Sequence, residues 1–120
     1  MKIRNNIVVT IFCFCLANSA IAAPSFEHYI FEYGKDMIFD VRLTDNTITW
    51  ESLAGPDKGQ NETDLIERKV LSSDVEVMQW TENDGTFVTV ILDRNHLKVI
   101  SSGKFSTGTW LWSGVAYIAN

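Results

Sequence analysis

The chain has 120 residues and a formal charge of −5, with 46% hydrophobic and 21% charged residues. This composition is too apolar for a disordered tail, and the chain is too short for two full domains. An acidic chain without a cluster of Lys and Arg is a poor nucleic-acid binder, because such binding needs cations that neutralise phosphates. We therefore expect one globular domain and no nucleic-acid partner.

The N-terminus has the pattern of a secretory signal peptide. Lys2 and Arg4 supply positive charge, residues 7–17 form an apolar run, and an Ala-Ile-Ala sequence ending at Ala22 supplies a cleavage site. The apolar run is shorter than the roughly 20 residues of a membrane-spanning helix, so no membrane anchor is expected. We expect cleavage after Ala22, a secreted or periplasmic location, and a mature single domain over residues 23–120.

Both cysteines, Cys13 and Cys15, lie in the segment that we expect to be removed. The mature domain then has no thiol for a disulfide, a metal site or a nucleophile, so its core alone must stabilise it. Its two histidines, His28 and His96, lie far apart, and no spacing of His, Cys and Asp is typical of a metal site. We expect no metal and no cofactor.

The rest of the sequence consists of short β-type runs separated by turn signals, with no convincing helix. Eight such runs predict an all-β fold, a small up-and-down antiparallel β-barrel of the calycin or lipocalin type, with an open sandwich as the alternative. The ambiguous run is Thr63–Leu71: its charged residues suit a helix, whereas Leu65 and Leu71 fit an alternating edge strand. We assign it as strand. The predicted runs are Tyr29–Tyr33, Asp36–Leu43, Thr47–Leu53, Thr63–Leu71, Val75–Glu82, Thr86–Asp93, His96–Ser102 and Thr109–Ile118.

The central hairpin carries the most informative polar residue. The dipeptide Asp84-Gly85 predicts a two-residue type I′ turn, which places Glu82 opposite Phe87 and on the face of Trp80 and Met78. If this face lines a cavity, burial raises the pKa of Glu82 and suits it to general acid or base chemistry. The alternative is that Glu82 lies in water at the end of the hairpin.

The run from Trp80 to Thr89, WTENDGTFVT, resembles the central hairpin of small calycin-like barrels, namely the phenolic acid decarboxylases and the MoaF-like proteins. The stretches Ile38–Val41 and Asn46–Trp50 also resemble the second and third strands of these barrels. The resemblance covers roughly residues 29–102 and is closer to the MoaF-like proteins. It implies a barrel with a small internal cavity.

In the decarboxylases, a glutamate of this hairpin, two tyrosines of the first strand and an arginine after the third strand hold and protonate a phenolic acid. Glu82 matches the glutamate and Tyr33 matches the second tyrosine, so the resemblance implies these two as catalytic residues if the protein is an enzyme. Phe31 stands where the first tyrosine would be, and Gln60 stands near the position of the arginine. An enzyme acting on an anion needs a cation in its cavity, and Gln60 offers none.

We therefore rank ligand binding above catalysis. The binding hypothesis is a small apolar or aromatic ligand inside the barrel, with Glu82 or Tyr33 as its polar anchor. One alternative is a small-molecule lyase with Glu82 as proton donor and Tyr33 as hydrogen-bond donor. The other is a non-catalytic interaction protein that forms a homodimer through its outer apolar faces. The residues expected to contact the ligand are Phe39, Trp50, Gln60, Met78, Trp80 and Phe87.

Overall fold

The computed structural model describes residues 26–119, which contain nine β-strands and no helix. The expected signal peptide lies outside the described residues. Within them, no helix is long and apolar enough to cross a membrane. The strands are β1 (Glu27–Gly34), β2 (Met37–Leu43), β3 (Thr47–Ser52), β4 (Asn61–Leu65), β5 (Glu67–Val70), β6 (Val75–Thr81), β7 (Phe87–Asp93), β8 (Lys98–Phe105) and β9 (Gly108–Ile118).

The strands form one antiparallel sheet in the order β4-β3-β2-β1-β9-β8-β7-β6-β5. The two edge strands of this sheet, β4 and β5, are consecutive in the chain. β4 pairs with β3 at one edge, and β5 pairs with β6 at the other. Ile66, between β4 and β5, is buried and donates its N–H to the Asn46 carbonyl. The sheet therefore curls into a nearly closed barrel, which confirms the predicted fold class.

The ambiguous run Thr63–Leu71 is strand, and its division at Ile66 makes nine strands rather than eight. The two leucines that favoured the strand assignment do not face the core. Leu65 is 76% exposed and Leu71 is 56% exposed, whereas Asp64 is buried. Arg68 of β5 is half-buried and meets the carboxylates of Glu27 and Glu76 from other strands. Asp64 of β4 instead lies beside two further carboxylates, Glu62 and Glu82.

The predicted register of the β6–β7 hairpin was wrong by one residue. The Glu82 N–H donates to the Thr86 carbonyl, so the loop has three residues, 83–85, and only Gly85 among them has a positive φ. A type I′ turn needs two positive φ values, whereas a three-residue loop needs one, which a glycine provides. Phe87 consequently pairs with Thr81, and its side chain lies on the outer face.

The core lies in the middle of the barrel, where the inward side chains of all the long strands meet. Leu43, Met78 and Leu92 are fully buried there. The inward positions of β6 and β7 alternate with outward ones, as a sheet with one face on the core requires. This packed layer separates two ends of the barrel that differ in their chemistry.

One end of the barrel is closed by a network of ion pairs. Glu76 of β6 accepts hydrogen bonds of 2.7 Å from both Arg68 and Arg94. Glu27 of β1 accepts two bonds of 2.9 Å from Arg94 and one of 2.6 Å from the Tyr29 hydroxyl. These side chains join the first strand to β5, β6 and the β7–β8 turn, so the network ties together distant parts of the chain.

Candidate functional site

The opposite end of the barrel opens into a cavity of about 670 Å³. This volume lies within the range of small-molecule sites, roughly 300–1,000 Å³. The loop over residues 53–60 and the turns after β1, β6 and β8 lie around this mouth. Aromatic side chains form much of the cavity wall, namely those of Phe31, Tyr33, Phe39, Trp50, Trp80, Phe105, Trp110 and Trp112.

Most of these rings contact one another in a continuous belt. Trp110 stacks on Trp112 with ring centroids 5.0 Å apart, and Trp112 lies 5.6 Å from Tyr33. Tyr33 then meets Phe39 edge to face at 6.1 Å, and Phe39 meets Trp50 at 6.2 Å. Each ring is fixed by its neighbour at distances typical of attractive aromatic pairs. The wall is therefore held in place before any ligand enters.

The tryptophans of the belt are tightly packed, and two of them have unpaired N–H groups. Trp110 lies directly over Gly103 of the neighbouring strand, where even a methyl group would overlap the indole. The indole N–H groups of Trp50 and Trp110 are buried and have no hydrogen-bond partner. A buried donor without a partner costs free energy, which the packing of the belt must offset.

Glu82 is half-buried and lines the cavity at the end of β6. Its carboxylate accepts a 3.4 Å hydrogen bond from the Trp80 indole. Burial raises the pKa of Glu82 to about 7, because that bond compensates only part of the lost hydration and the carboxylates of Glu62, Asp84 and Asp64 repel its charge. Glu82 can therefore gain or lose a proton near neutral pH.

Two further carboxylates lie beside Glu82, across the gap between β4 and β6. Carboxylate oxygens of Glu62, Asp64 and Glu82 lie within 4.8 Å of one another. The Asn83 N–H donates to Glu62, while Oδ2 of Asp64 is buried without a partner. Burial and the neighbouring Glu62 raise the pKa of Asp64. Such a group of carboxylates can share protons or be neutralised by a cation.

Tyr33 lines the cavity from β1. Burial raises the pKa of its phenol far above the usual range, and a hydrogen bond with Ser101 offsets part of that shift. The phenol is therefore neutral at any ordinary pH and can donate a hydrogen bond to a ligand.

The structure brings most of the predicted site residues together. Phe39, Trp50, Trp80 and Gln60 line the cavity with Glu82 and Tyr33, Gln60 lying at the exposed rim. Two do not line it. Met78 is fully buried in the core, and Phe87 is 43% exposed on the outer face.

Sequence reasoning missed Glu62, Asp64 and the two tryptophans of β9. The acidic pair alternates along β4, but the pattern looks like an ordinary solvated strand until its register with Trp50 is known. For Trp110 and Trp112 a signal existed, because they alternate at the start of the last strand. The two histidines lie elsewhere and pair with carboxylates, His28 with Asp40 and His96 with Asp93.

Comparison with known families identifies the family of this chain. The sequence profile of the MoaF-like proteins matches residues 27–112, which is most of the chain. The chain belongs to the MoaF-like family. This membership confirms the resemblance identified in the hairpin sequence. Comparison with curated proteins finds no match.

Among solved structures, this MoaF-like protein is similar to a Burkholderia vietnamiensis protein whose crystal structure is provisionally described as that of a beta-lactamase. The TM-score is 0.72 over 78% of this chain and 92% of that chain, at 14% sequence identity. At this identity the likeness concerns the fold alone. The cavity itself must therefore supply any functional argument for this MoaF-like protein.

Proposed function

We propose that this MoaF-like protein is an exported barrel that binds a small apolar or aromatic molecule in its cavity. The observation that supports this most strongly is the belt of contacting rings around a 670 Å³ space. Large flat side chains fixed in advance bury ligand surface at little cost in conformational entropy. Glu82 and Tyr33 supply the few polar contacts that orient a ligand in such a site.

Ligand binding is tested by filling the cavity. Ser101 is buried and lines the cavity, whereas Ser102 is the next residue of the same strand and points to the outer face. We expect Ser101→Phe to weaken binding of the neutral fluorophore N-phenyl-1-naphthylamine at least about tenfold, because the added ring takes up space that the ligand needs. Fluorescence titration measures this. Thermal melts show whether the variants are folded.

Ser102→Phe is the matched control, since it adds the same ring outside the barrel. We expect its affinity for the fluorophore to equal that of the parent within about twofold. Equal binding by a folded Ser101→Phe variant, or an equal loss in Ser102→Phe, would contradict binding inside the barrel.

A lyase reaction is the alternative function that the geometry favours next. Glu82 and Tyr33 match the glutamate and a tyrosine with which the decarboxylases hold and protonate their substrate, and both line the cavity. Glu82 also titrates near neutral pH, as a proton donor should. The substrate class would be a small phenolic or enolisable acid. Gln60 at the rim leaves the carboxylate of such a substrate without a positive partner at that position, so we rank this function second.

A homodimer is supported by a different surface. Ile100 and Leu111 are 43% and 74% exposed on the outer faces of β8 and β9. An apolar outer surface suits docking of a second copy. This function does not exclude ligand binding, because it uses the opposite face of the sheet.

Export is part of the proposal and is tested separately. The charged start, the apolar run and the Ala-Ile-Ala sequence support processing after Ala22. When the full chain is expressed in a bacterium, we expect the periplasmic or secreted fraction to contain protein beginning at Ala23. Intact-mass measurement checks this, and full-length protein confined to the cytoplasm would contradict export.

A further inference from the structure

The charged groups on the cavity wall are all of one sign. The carboxylates of Asp36, Asp57, Glu82 and Asp84 line the cavity, and in the part of the chain that the structure describes no Lys, Arg or His does so. Three of these carboxylates lie at the exposed rim, while Glu82 lies deeper, next to Trp80. An approaching molecule thus meets negative charge at the entrance and again inside.

Among the described residues, no Lys, Arg or His forms a salt bridge with these four carboxylates. Within residues 26–119, Arg42 pairs with Asp40, and Arg68 and Arg94 are held in the network at the other end of the barrel. Lys35 and Lys58 belong to loops of the mouth, but both are exposed and neither lines the cavity. The negative groups around Glu82 form no salt bridge among the described residues.

Two carboxylates that do not line the cavity lie close to Glu82 and make its surroundings more negative. Glu62 and Asp64 lie within 4.8 Å of Glu82 and add their potential to its own. Oδ2 of Asp64 is buried with no donor to satisfy it. Buried carboxylates are normally paired with a cation or fully hydrogen-bonded. A positive ligand beside Glu82 would weaken the mutual repulsion of these three carboxylates.

The remaining wall suits the same kind of ligand. The faces of Trp, Tyr and Phe rings attract organic cations, with Trp the strongest, and sites lined by several rings are used to bind ammonium groups. Here Trp50 and Trp80 lie beside the carboxylates, and the other rings extend from them as an apolar wall. One part of the cavity thus suits a charged head, and the rest suits an apolar body.

We propose that the cavity selects an organic ammonium ion with an aromatic or apolar body, its positive head held by Glu82 beside the Trp50 and Trp80 indoles. This inference rests on the proposed ligand-binding function and narrows its ligand class. An anion of the same shape binds more weakly, because the rim carboxylates and Glu82 repel it. A neutral molecule of the same shape binds, but without the charge-assisted contact.

The test compares three probes that share a naphthalene ring and carry a positive, a neutral and a negative head group: 1-naphthylmethylamine, 1-naphthalenemethanol and 1-naphthoate. Isothermal titration calorimetry of the mature protein at pH 8, in low salt with EDTA, gives their affinities. We expect the amine to bind at least about tenfold more tightly than the alcohol, and the carboxylate to bind most weakly, because a charge-assisted contact is worth more than 1.4 kcal/mol or about one factor of ten.

Glu82→Gln should lower the ratio of amine affinity to alcohol affinity about tenfold. Glu51→Gln is the matched control, because Glu51 is exposed on β3 and does not line the cavity, so it should leave this ratio unchanged. If the alcohol binds as tightly as the amine, the preference for a cation is overturned and ligand binding stands. If folded protein binds none of the three probes, both proposals are overturned. An equal loss of the ratio in Glu51→Gln would assign the effect to overall charge and overturn the role of Glu82.

Discussion

Replacing Glu76 with glutamine should destabilise the barrel by about 3 kcal/mol, the largest effect we expect from a single side chain. The Glu76 carboxylate is only 5% exposed and holds Arg68 and Arg94 at 2.7 Å. Removing its charge leaves two partly buried guanidinium groups with insufficient compensation, and breaking a buried pair in this way costs roughly 3–5 kcal/mol. We expect the low end of this range, because both arginines keep contacts with Glu27.

Urea unfolding, monitored by tryptophan fluorescence, measures this loss. We expect a lower midpoint and an unchanged dependence of the unfolding free energy on urea concentration. Glu67→Gln is the control, since Glu67 lies on the neighbouring strand β5 but is exposed. Its effect should stay within about 0.5 kcal/mol. Similar midpoints for the two variants would show that the network contributes little to stability.

The same network makes the parent protein sensitive to acid. Burial raises the pKa of Glu27, but hydrogen bonds from Arg94 and Tyr29 outweigh it and lower that pKa to about 2. The pKa of Glu76 is also lowered, by Arg68 and Arg94 against the effect of burial. A carboxylate with a lowered folded pKa stabilises the fold above its unfolded pKa of about 4.5, and this stability is lost as the pH falls toward 2. The pKa of Glu76 is lowered in the same direction, so the difference between the parent and Glu76→Gln should shrink as the pH falls below about 4.5.

The architecture was predictable because it depends on local signals. Alternation along runs such as Met37–Leu43 and turn residues between them are enough to indicate antiparallel strands, and their number indicates a barrel. The register of the β6–β7 hairpin was not predictable, because Asp84-Gly85 fits both a two-residue and a three-residue loop. The difference of one residue in loop length decides whether Phe87 faces the cavity or the solvent.

The inward-facing charges were beyond sequence reasoning for another reason. Glu27 and Arg94 form a close pair although 67 positions separate them, and no local pattern links two such residues. Glu62 and Asp64 face inward while Leu65 faces water, which reverses the usual rule for a strand. Departures from that rule concentrate at functional sites, where a fold tolerates a cost in stability. Glu62 and Asp64, the residues that depart from the rule, lie within 4.8 Å of Glu82.

Glu82→Gln should stabilise the folded protein by about 1–2 kcal/mol at pH 8 and by much less at pH 5. Burial raises the pKa of Glu82 to about 7, so the folded state holds its proton more tightly than the unfolded state does. In the parent, the stability that protonated Glu82 provides is fully present below the unfolded pKa of about 4.5 and is lost as the pH rises through 7. The glutamine variant has no such loss. One unit of pKa corresponds to about 1.4 kcal/mol, and we discount the full shift because water reaches the cavity mouth.

Urea unfolding of the parent and of Glu82→Gln at pH 5 and pH 8 gives the four free energies required. The exposed Glu51→Gln should change stability by no more than about 0.5 kcal/mol at either pH. An equal effect of Glu82→Gln at both pH values would mean that its carboxylate is solvated, as the simpler reading of the hairpin end supposes. A gain confined to pH 8, together with a weaker preference for the cationic probe, would identify a carboxylate that the fold keeps at a cost because the ligand requires it.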